Sequence, residues 1–306
     1  MRSVTAVAYS SSANLGPGFD VLALCHDFGY DRVTVSLSEN SNRMVSIVSS
    51  DTPNDAMHNS AGRAALEILS SFGIKDSITL EIEKGIPVSA GLGGSGSSAS
   101  AAVAAVDELF SLKMPDEEKI RIAGNAESSS ENGRHYDNVA ASTLGGLAII
   151  NPGKSIISRS LKVHESLRFV VAAPEISGNQ AKTDKMRTLI PSLISREDHI
   201  RNTSSLAFLI SGLTSGKTDL IAHGMNDHIF EPARSEVYPF FYPLKEAAVQ
   251  SWALGACLSG SGPSMLFVCS EDGLETLMKD LLRSPLINNL KINLKEVNVR
   301  GGAYVV

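Results

Sequence analysis

The stretch GIPVSAGLGGSGSSASAAVAAV, residues 85–106, constrains the fold more than any other part of the chain. Before it, the alternating apolar residues 78–82 predict a strand that ends at Gly85-Ile86-Pro87. After it, small residues over 97–110 predict a helix. The glycines let backbone N–H groups converge, and the helix N-terminus adds its positive dipole end, so the stretch is typical of an anion-binding loop. A close-packed glycine turn without a ligand is the alternative at this point.

The same stretch contains the dinucleotide-binding pattern G-x-G-x-x-G at residues 91–96. That fingerprint needs a strand running directly into the glycines, then a helix, then a second strand with an acid about 20 residues on. Here Pro87 and three further residues separate the strand from Gly91. The acids at the right distance, residues 116–118, open another helix instead. The order strand–helix–helix argues against a dinucleotide site.

A second pattern, SGLTSGKT at 211–218, is close to the phosphate loop G-x-x-x-x-G-K-[ST]. Ser211 stands in place of its first glycine, and the preceding apolar residues recur at helical spacing, whereas a phosphate loop follows a strand. We therefore predict a helix–turn–helix corner with an exposed Lys217.

Composition and charge narrow the class of protein. The chain has 306 residues and 43% hydrophobic residues, which suits one large or two medium soluble domains. A net charge of −6 argues against non-specific nucleic-acid binding. No uncharged apolar run approaches the ~20 residues of a membrane span, so we expect no membrane partner and a cytoplasmic location. Cys25, Cys257 and Cys269 are widely spaced, which predicts buried free thiols.

Helical and strand periodicities alternate along the chain and predict an α+β or α/β protein. Residues 11–18 and 135–146 are predicted as loops, and a new strand–helix pattern begins at LRFVVAAPE, so we place a domain boundary near residue 165. The predicted strands cover 4–10, 21–24, 32–37, 78–82, 147–150 and about 301–306, and the predicted helices cover 58–71, 97–110, a segment from 115, about 180–190, 197–213, 217–229, 241–252 and about 272–282.

Four segments together resemble the GHMP kinases, although each alone would be an ordinary loop. They are SSANLGPGFD (11–20), GIPVSAGLGGSGSSASA (85–101), HYDNVAASTLGG (135–146) and GACLSGSGPS (255–264). The first and third are similar to the branch of the family that phosphorylates homoserine, and the other two to the whole family. The resemblance implies an α+β fold: an ATP-binding domain like ribosomal protein S5 domain 2 over 1–165, a ferredoxin-like domain over 166–306, and an active site between them.

The resemblance also implies the ligands: ATP with Mg²⁺, and L-homoserine, whose phosphorylation leads toward threonine. The family loop commonly runs G-L-G-S-S-A, whereas here Gly94-Ser95-Gly96 stands before Ser97-Ser98, so the loop looks longer. We expect the metal at Ser98 and Glu127, with Ser97 an alternative to Ser98 and Ser95 less favoured. The residues expected to bind the nucleotide are Asn59 (near the adenine), Pro87, Gly91, Leu92, Gly93, Gly94, Ser95, Gly96, Ser97 and Ser98.

Chemical arguments indicate which residues would bind the ammonium and carboxylate groups of an amino-acid substrate. An ammonium group needs a carboxylate, and Asp20 fits; a carboxylate needs guanidinium groups, and Arg187 and Arg234 resemble the arginines of the family. Without the resemblance, both arginines would be taken as solvated surface residues. The remaining residues expected to hold the substrate are Asn14, His135 and Asn138, with Asn138 near the reacting hydroxyl. Asp137 stands where sister kinases carry a catalytic aspartate, and we expect it to be at most a weak base.

Two other functions stay open. One is a GHMP kinase for another small alcohol, such as mevalonate or a sugar; the other is a GHMP-fold protein without catalysis, which would predict a degraded nucleotide loop. A homodimer is one possible assembly, but the sequence does not decide it.

Overall fold

Two β-sheets organise the structure, a computed structural model that describes residues 2–38, 44–127, 136–151, 153, 155–175 and 188–306. The first sheet has seven strands: β1 (Ser3–Ala13), β2 (Leu22–Leu37), β3 (Val45–Val48), β4 (Ile78–Glu83), β5 (Leu147–Asn151), β6 (Ile157–Leu161) and β11 (Tyr304–Val305). The second sheet is antiparallel and has four: β7 (Leu167–Pro174), β8 (Ala253–Leu258), β9 (Met265–Ser270) and β10 (Ile292–Val297).

The strand order of the first sheet is β11-β1-β2-β4-β3, and β5 and β6 continue from β2. Its one parallel pair among the described strands is β3 with β4. The second sheet runs β10-β7-β9-β8. Because β11 pairs with β1, the end of the chain returns to the first sheet. The second sheet begins two residues after the predicted boundary at 165, which stays a prediction.

Helices lie against both sheets and, with the strands, confirm the predicted α+β class. The first four follow or connect strands of the first sheet: α1 (Ser60–Ser71), α2 (Gly94–Phe110), α3 (Asp116–Glu127) and α4 (Tyr136–Leu144). The others belong to the second part of the chain: α5 (Arg196–Ser215), α6 (Thr218–Gly224), α7 (Phe230–Ser235), α8 (Phe241–Gln250), α9 (Leu274–Arg283) and α10 (Pro285–Asn289). Short 3₁₀ turns cover Ala56–His58 and Glu271–Gly273. No helix among the described residues is long and apolar enough to cross a membrane.

Strand β2 is the central strand of the first sheet and pairs with three others. Its first residues pair with β5 and its last six with β4, while β1 runs beside both halves. Two separate strands at 21–24 and 32–37 were predicted, which is wrong because one strand spans both. The register with β1 shifts between Tyr9 and Ser10, so residues 27–29 of β2 are accommodated as a bulge. Asp27 and Gly29 in this bulge interrupted the apolar alternation in the sequence without ending the strand.

Apolar side chains form three buried clusters. The first lies between the seven-stranded sheet and α1–α4, and α2 is buried on nearly all sides there because its alanines allow close approach. The second contains residues of both sheets, such as Leu22 and Leu266, together with Leu92 of the glycine loop, and joins the two parts of the chain. The third covers the other face of the second sheet under α8 and α9. The three cysteines are free and buried, as predicted.

Besides the division of β2 and the loop predicted over 11–18, whose first three residues belong to β1, two predicted elements need correction. Residues 135–146 were predicted as a loop, but 136–144 form α4, because Asp137 suits the first turn of a helix and Val139, Ala140 and Ala141 are buried. The helix predicted over 217–229 ends at Gly224. The Asp227 carboxylate then accepts hydrogen bonds from the amides of residues 229–231 and opens α7. The helix predicted near 180–190 lies largely outside the described residues.

Both motif predictions about alternative phosphate sites are confirmed by the fold. The chain after β4 enters α2 and then α3 with no strand between them, so the dinucleotide topology is absent from this described stretch. The SGLTSGKT segment lies at the corner between α5 and α6, and Lys217 is exposed.

Candidate active site

Three glycine-rich loops meet between the two sheets. They are the loop after β1, the loop between β4 and α2, and the turn between β8 and β9. The loops are joined by hydrogen bonds from Gly260 N to Ala13 O (2.9 Å), Ser264 N to Ala90 O (3.2 Å), Ser259 Oγ to Gly91 O (2.7 Å) and Ser11 N to Leu92 O (3.1 Å). Segments far apart in the sequence therefore form one continuous surface.

A buried polar network lies beneath these loops. The fully buried ring of His26 has Ser12 Oγ at 2.9 Å from Nε2 and Ser10 Oγ at 3.1 Å from Nδ1. Ser12 Oγ in turn lies 2.8 Å from Ser259 Oγ, which also donates to Gly91 O. Burial lowers the pKa of His26 to about 3, so the ring is neutral at physiological pH. The network links the first sheet, the second sheet and the glycine loop.

The glycine loop ends in an open helix N-terminus. Gly91 and Gly93 have φ of +78° and +68°, a region that favours glycine. A Cβ at Gly93 would overlap Ser11 Oγ and Asn138 Oδ1. Helix α2 begins at Gly94, and its N-cap, Gly93, makes no side-chain cap bond, so the first amides of the helix are left for a ligand.

The helix start corrects the expectation of a longer loop. Gly94, Ser95 and Gly96 form the first turn of α2 and add nothing to the loop. Gly96 permits this because its hydrogen faces α4, where a Cβ would lie 3.3 Å from Val139 Cγ2. The helix therefore begins directly after Gly91-Leu92-Gly93, and Ser95 is the serine of α2 that lies nearest to the loop.

The three serines have different surroundings. Ser95 is exposed, and its Oγ donates to Glu127 Oε2 at 2.8 Å. Ser97 is buried and donates to Ala8 O at 2.7 Å. Ser98 is buried and donates to Asp31 Oδ2 at 2.7 Å. The structure thus brings together Ser95 and Glu127, whereas the sequence favoured Ser98 with Glu127.

Glu127, at the end of α3, has an unusual carboxyl group. Its Oε1 is buried and has no hydrogen-bond partner among the described residues. Desolvation raises the pKa of Glu127 to about 7, although the Ser95 hydroxyl and the charges of Lys84 and Arg63 act in the opposite direction. An orphaned carboxylate oxygen beside a hydroxyl is the kind of oxygen pair that Mg²⁺ binds.

Helix α4 presents the polar side chains of the third motif. Asn138 Oδ1 accepts from Ser11 Oγ at 2.9 Å, which places Asn138 beside the glycine loop. Asp137 is buried, and its Oδ1 accepts from the Asn138 amide at 2.8 Å. Its carboxylate also raises the pKa of Glu127, so the two acids are near neighbours.

The first motif and α7 supply the other end of the site. Asn14 and Asp20 both have positive φ, and Asn14 Oδ1 accepts from the Asp20 amide at 2.8 Å, which closes a compact loop. Phe19 of this loop stacks on Phe230 at 4.4 Å between ring centroids. The Arg234 guanidinium lies over the Phe19 ring, 5.3 Å from its centroid.

Arg234 is not the solvated arginine that the residues alone suggested. It is 1% exposed, and Nη1 donates to Gly260 O at 2.7 Å, in the turn between β8 and β9. Its Nη2 is buried without a hydrogen-bond partner among the described residues. A buried guanidinium with an unused donor suits recognition of a carboxylate.

Four predicted site residues are placed differently or not at all. Asn59 caps α1: its Oδ1 accepts from the amides of residues 61 and 62, and its Nδ2 donates to Thr52 Oγ1 and Pro53 O. Pro87 is exposed at the start of the loop. His135 and Arg187 lie outside the described residues.

Two hollows in the protein surface differ in their distance from the predicted site residues. One of about 250 Å³ lies beside the start of α1 and the end of α3, lined by Met57, Arg63, Leu66, Glu67, Asn125 and Ala126. Ala126 in its lining precedes Glu127 in the chain, and at the start of α1 Ser60 Oγ donates to Ser95 O at 3.0 Å. A larger hollow of about 430 Å³, between α3, α4, β6 and the C-terminal segment, contains none of the predicted site residues.

Sequence reasoning missed several residues of the site. Ser11 and Ser12 lie inside a motif that indicates no role for either, and His26, Asp31 and Lys84 belong to none of the four motifs. The polar residues His26 and Asp31 inside an otherwise apolar strand pattern were the available signal, because buried polar side chains need partners.

Two family models and several named relatives match this chain. The model described as "GHMP kinases N terminal domain" matches residues 59–146, and "GHMP kinases C terminal" matches 209–286. A protein of Thermoplasma volcanium named homoserine kinase is 43% identical over 87% of this chain and 84% of its own length. One of Thermoplasma acidophilum with the same name is 37% identical over 99% of this chain and 96% of its own.

The chain belongs to the homoserine kinases of the GHMP kinase family. A crystal structure named as homoserine kinase from Cytophaga hutchinsonii has a TM-score of 0.89 and 28% identity, covering 100% of this chain and 98% of that one. Membership of this family of ATP-dependent phosphotransferases agrees with the open helix N-terminus of α2.

Proposed function

We propose that the chain transfers the γ-phosphoryl group of ATP to the side-chain hydroxyl of L-homoserine, giving O-phospho-L-homoserine and ADP. The hydroxyl oxygen forms a bond to the γ-phosphorus, the bond from that phosphorus to the β–γ bridging oxygen breaks, and the hydroxyl proton is released. The product would serve threonine biosynthesis, and we propose a cytoplasmic location. One observation carries the proposal. In a chain of the homoserine kinase family, the open N-terminus of α2, which suits an anion, lies in the same site as the buried guanidinium of Arg234, whose Nη2 has no hydrogen-bond partner among the described residues.

The nucleotide would lie along the start of α2. Its phosphates would be held by the amides of the glycine loop and of the first turn of α2, where Gly93 and Gly94 leave room for them. The adenine would occupy the hollow beside α1, whose lining includes Arg63 and Ala126, the residue before Glu127. Asn59 would act there by fixing the start of α1, because its side-chain bonds are already made within the chain.

Ser95 and Glu127 would hold Mg²⁺. Their fit to the metal rests on the buried Glu127 Oε1, which lacks a partner among the described residues, and on the adjacent hydroxyl. No cluster of three His, Cys, Asp or Glu ligands is found in the described part of the chain. Mg²⁺ needs none, since it is commonly bound by one or two protein oxygens with phosphate and water completing the shell. When bound, the metal would neutralise charge on the transferring phosphoryl group.

The amino-acid substrate would lie between the loop Asn14–Asp20 and α7. Arg234 Nη2 would bind its carboxylate, and Asp20 its ammonium group. Asn14 fixes the loop that carries Asp20. Arg187 and His135, outside the described residues, stay predicted partners of the substrate.

Asn138 and Asp137 would act at the reacting hydroxyl. Because phosphoryl transfer passes through a loose transition state, positioning and charge neutralisation carry most of the catalysis. Ser11 holds the Asn138 carbonyl group, so its NH₂ group is the part we assign to the substrate hydroxyl. We assign Asp137 at most the role of a weak base. Loss of all turnover in Asp137→Ala, with ATP and homoserine binding intact, would contradict this assignment.

The experiment that tests the function is ADP release with L-homoserine compared with mevalonate, galactose and L-threonine. We expect a clear preference for homoserine, because an ion-paired amino-acid site rejects a neutral sugar. ADP release without any preference for homoserine would overturn the proposal. Light scattering on the same preparation would show whether the chain is a homodimer.

A further inference from the structure

We infer that Asp31 and Lys84 are positioning residues that fix both ends of the phosphate-binding loop. They lie on β2 and just after β4, under the loop, and neither belongs to the four motifs of the family. The inference rests on the proposed nucleotide site.

The Asp31 carboxylate holds the entrance of the loop. Asp31 is fully buried, and its Oδ1 accepts from the backbone amides of Gly85 (3.1 Å) and Ile86 (3.2 Å). Its Oδ2 accepts from Ser98 Oγ (2.7 Å) and from Lys84 Nζ. A carboxylate has about four acceptor sites, so all of them are used within the protein.

The Lys84 ammonium group holds the exit of the loop. Nζ donates to Gly94 O at 2.7 Å, to Ser98 Oγ at 3.0 Å and to Asp31. Gly94 is the first residue of α2, and Ser98 lies one turn further on. Because an ammonium group has three donors, none is left for a phosphate. Lys84 therefore acts through the loop and not on the ligand.

The pair ties the loop to the sheet at two points at once. The entrance amides bind Asp31, and the exit carbonyl binds Lys84, so the distance between β4 and α2 is set by one buried ion pair with side chains 0% and 7% exposed. A buried ion pair contributes little net stability compared with apolar side chains of the same volume. Its effect here is to place the amides that we assign to the phosphates, and catalysis is sensitive to such placement.

The test compares Lys84→Met with the double variant Asp31→Asn/Lys84→Met. The single variant leaves a buried carboxylate without its partner, so we expect Tm to fall by roughly 10 °C and the Kd for a fluorescent ATP analogue to rise about 10- to 100-fold. The double variant removes the unpaired charge, so Tm should return to within a few degrees of the wild type. The Kd for the analogue should stay at least about 10-fold weaker, because the bonds from Lys84 to the loop are still missing.

A matched control lies at the other end of the same helix. Lys119 Nζ pairs with Asp107 on α2 at 2.9 Å, about 20 Å along the helix from Gly94. Asp107→Asn/Lys119→Met should leave the Kd for the analogue within about twofold of the wild type. Recovery of both Tm and Kd in the Asp31/Lys84 double variant would overturn the inference, as would an equal rise of Kd in the control.

Hydrogen exchange of the wild-type chain gives an independent readout should the variants not fold. Without nucleotide, the amides of Gly85 and Ile86 should exchange slowly, whereas exchange as fast as at the exposed Asn54 and Asp55 would contradict the inference. Analogue binding is measured without a second substrate. Failure of homoserine as a substrate would therefore overturn the proposed function and leave this test of the loop unaffected.

Discussion

At the scale of single residues, Glu127 links the proposed metal site to pH. Desolvation raises its pKa from 4.5 to about 7, so the folded chain holds this proton more tightly than the unfolded chain does. Without metal, its contribution therefore lowers the free energy of unfolding as pH rises from about 4.5 to about 7. A bound cation favours the ionised carboxylate and should offset that loss above pH 7.

We expect the Mg²⁺ concentration for half-maximal activity to rise as pH falls from 8 to 6, because protons and metal compete for Glu127. The limiting slope is about tenfold per pH unit. Glu127→Gln should need far more Mg²⁺ and should lack the steep part of this dependence. It also serves as the control, since ATP itself titrates equally with both proteins. Parallel Mg²⁺ curves for the two proteins across this range would contradict the assignment.

Ser95 and Ser98 can be separated by two alanine variants. Ser95 is exposed and contacts Glu127, so Ser95→Ala should raise the Mg²⁺ requirement about tenfold and leave Tm nearly unchanged. Ser98 is buried between Asp31 and Lys84, so Ser98→Ala should lower Tm by a few degrees, because buried partners lose a hydrogen bond. Mg²⁺ titrations and thermal unfolding of both variants test this, and the reverse pattern would restore Ser98 as the metal serine.

At the scale of elements, the junction between the glycine loop and α2 depends on Gly93. Its φ is +68°, and a Cβ would overlap Ser11 Oγ and Asn138 Oδ1. Gly93→Ala should therefore displace α4 or the loop and lower kcat/KM by about 100-fold. Gly73 is the matched control: its φ is +64°, but a Cβ there meets no atom within 4 Å.

Gly73→Ala should lower the free energy of unfolding by about 1–2 kcal/mol, which is the cost of the backbone strain, and should leave kcat/KM unchanged. Urea unfolding and steady-state kinetics of both variants separate strain from displacement. Equal kinetic losses in the two variants would contradict the role given to the Gly93 contacts.

The sequence was sufficient for the family and for most elements, because the glycine-rich motifs and the apolar periodicities are local signals. It misassigned α4 because nine residues with polar and small side chains carry little periodicity, while burial of Val139 and Ala140 in the first core decides the helix. It also read Gly94-Ser95-Gly96 as extra loop. Close packing of Gly96 on α4, a contact between distant segments, makes that stretch helical.

The burial of Arg234 was equally beyond the sequence. Its motif FEPAR has the composition of a surface helix, whereas contacts with distant segments, among them the turn between β8 and β9 and the ring of Phe19, bury the guanidinium. Asp31 and Lys84 are 53 residues apart, so their pairing depends on the register between β2 and β4, which places Arg32 opposite Glu83.

At the scale of the whole molecule, the two parts are joined by an apolar cluster and by the buried His26 network. His26 belongs to β2 in the first sheet, and through Ser12 it reaches Ser259, which follows β8 in the second sheet. Because the pKa of His26 falls from 6.5 to about 3 on folding, the unfolded chain binds its proton more readily. The stability from this neutral ring is complete above about pH 6.5 and is lost progressively as pH falls toward 3.

We therefore expect His26→Asn to flatten the pH dependence of the free energy of unfolding. The wild type should lose about 1.4 kcal/mol more per pH unit than the variant between pH 6 and 4, which is the linkage of one proton. Urea unfolding at several pH values measures this difference, and the carboxylates that titrate in both proteins cancel in the comparison. His199 is exposed and lies outside this buried network, so His199→Asn serves as the matched control and should retain the contribution of His26. If His26→Asn kept the full pH slope of the wild type, folding would not lower the pKa of His26, and protonation of the wild-type ring would leave the contact between the two sheets intact. The His26 network would then not couple the two parts of the molecule.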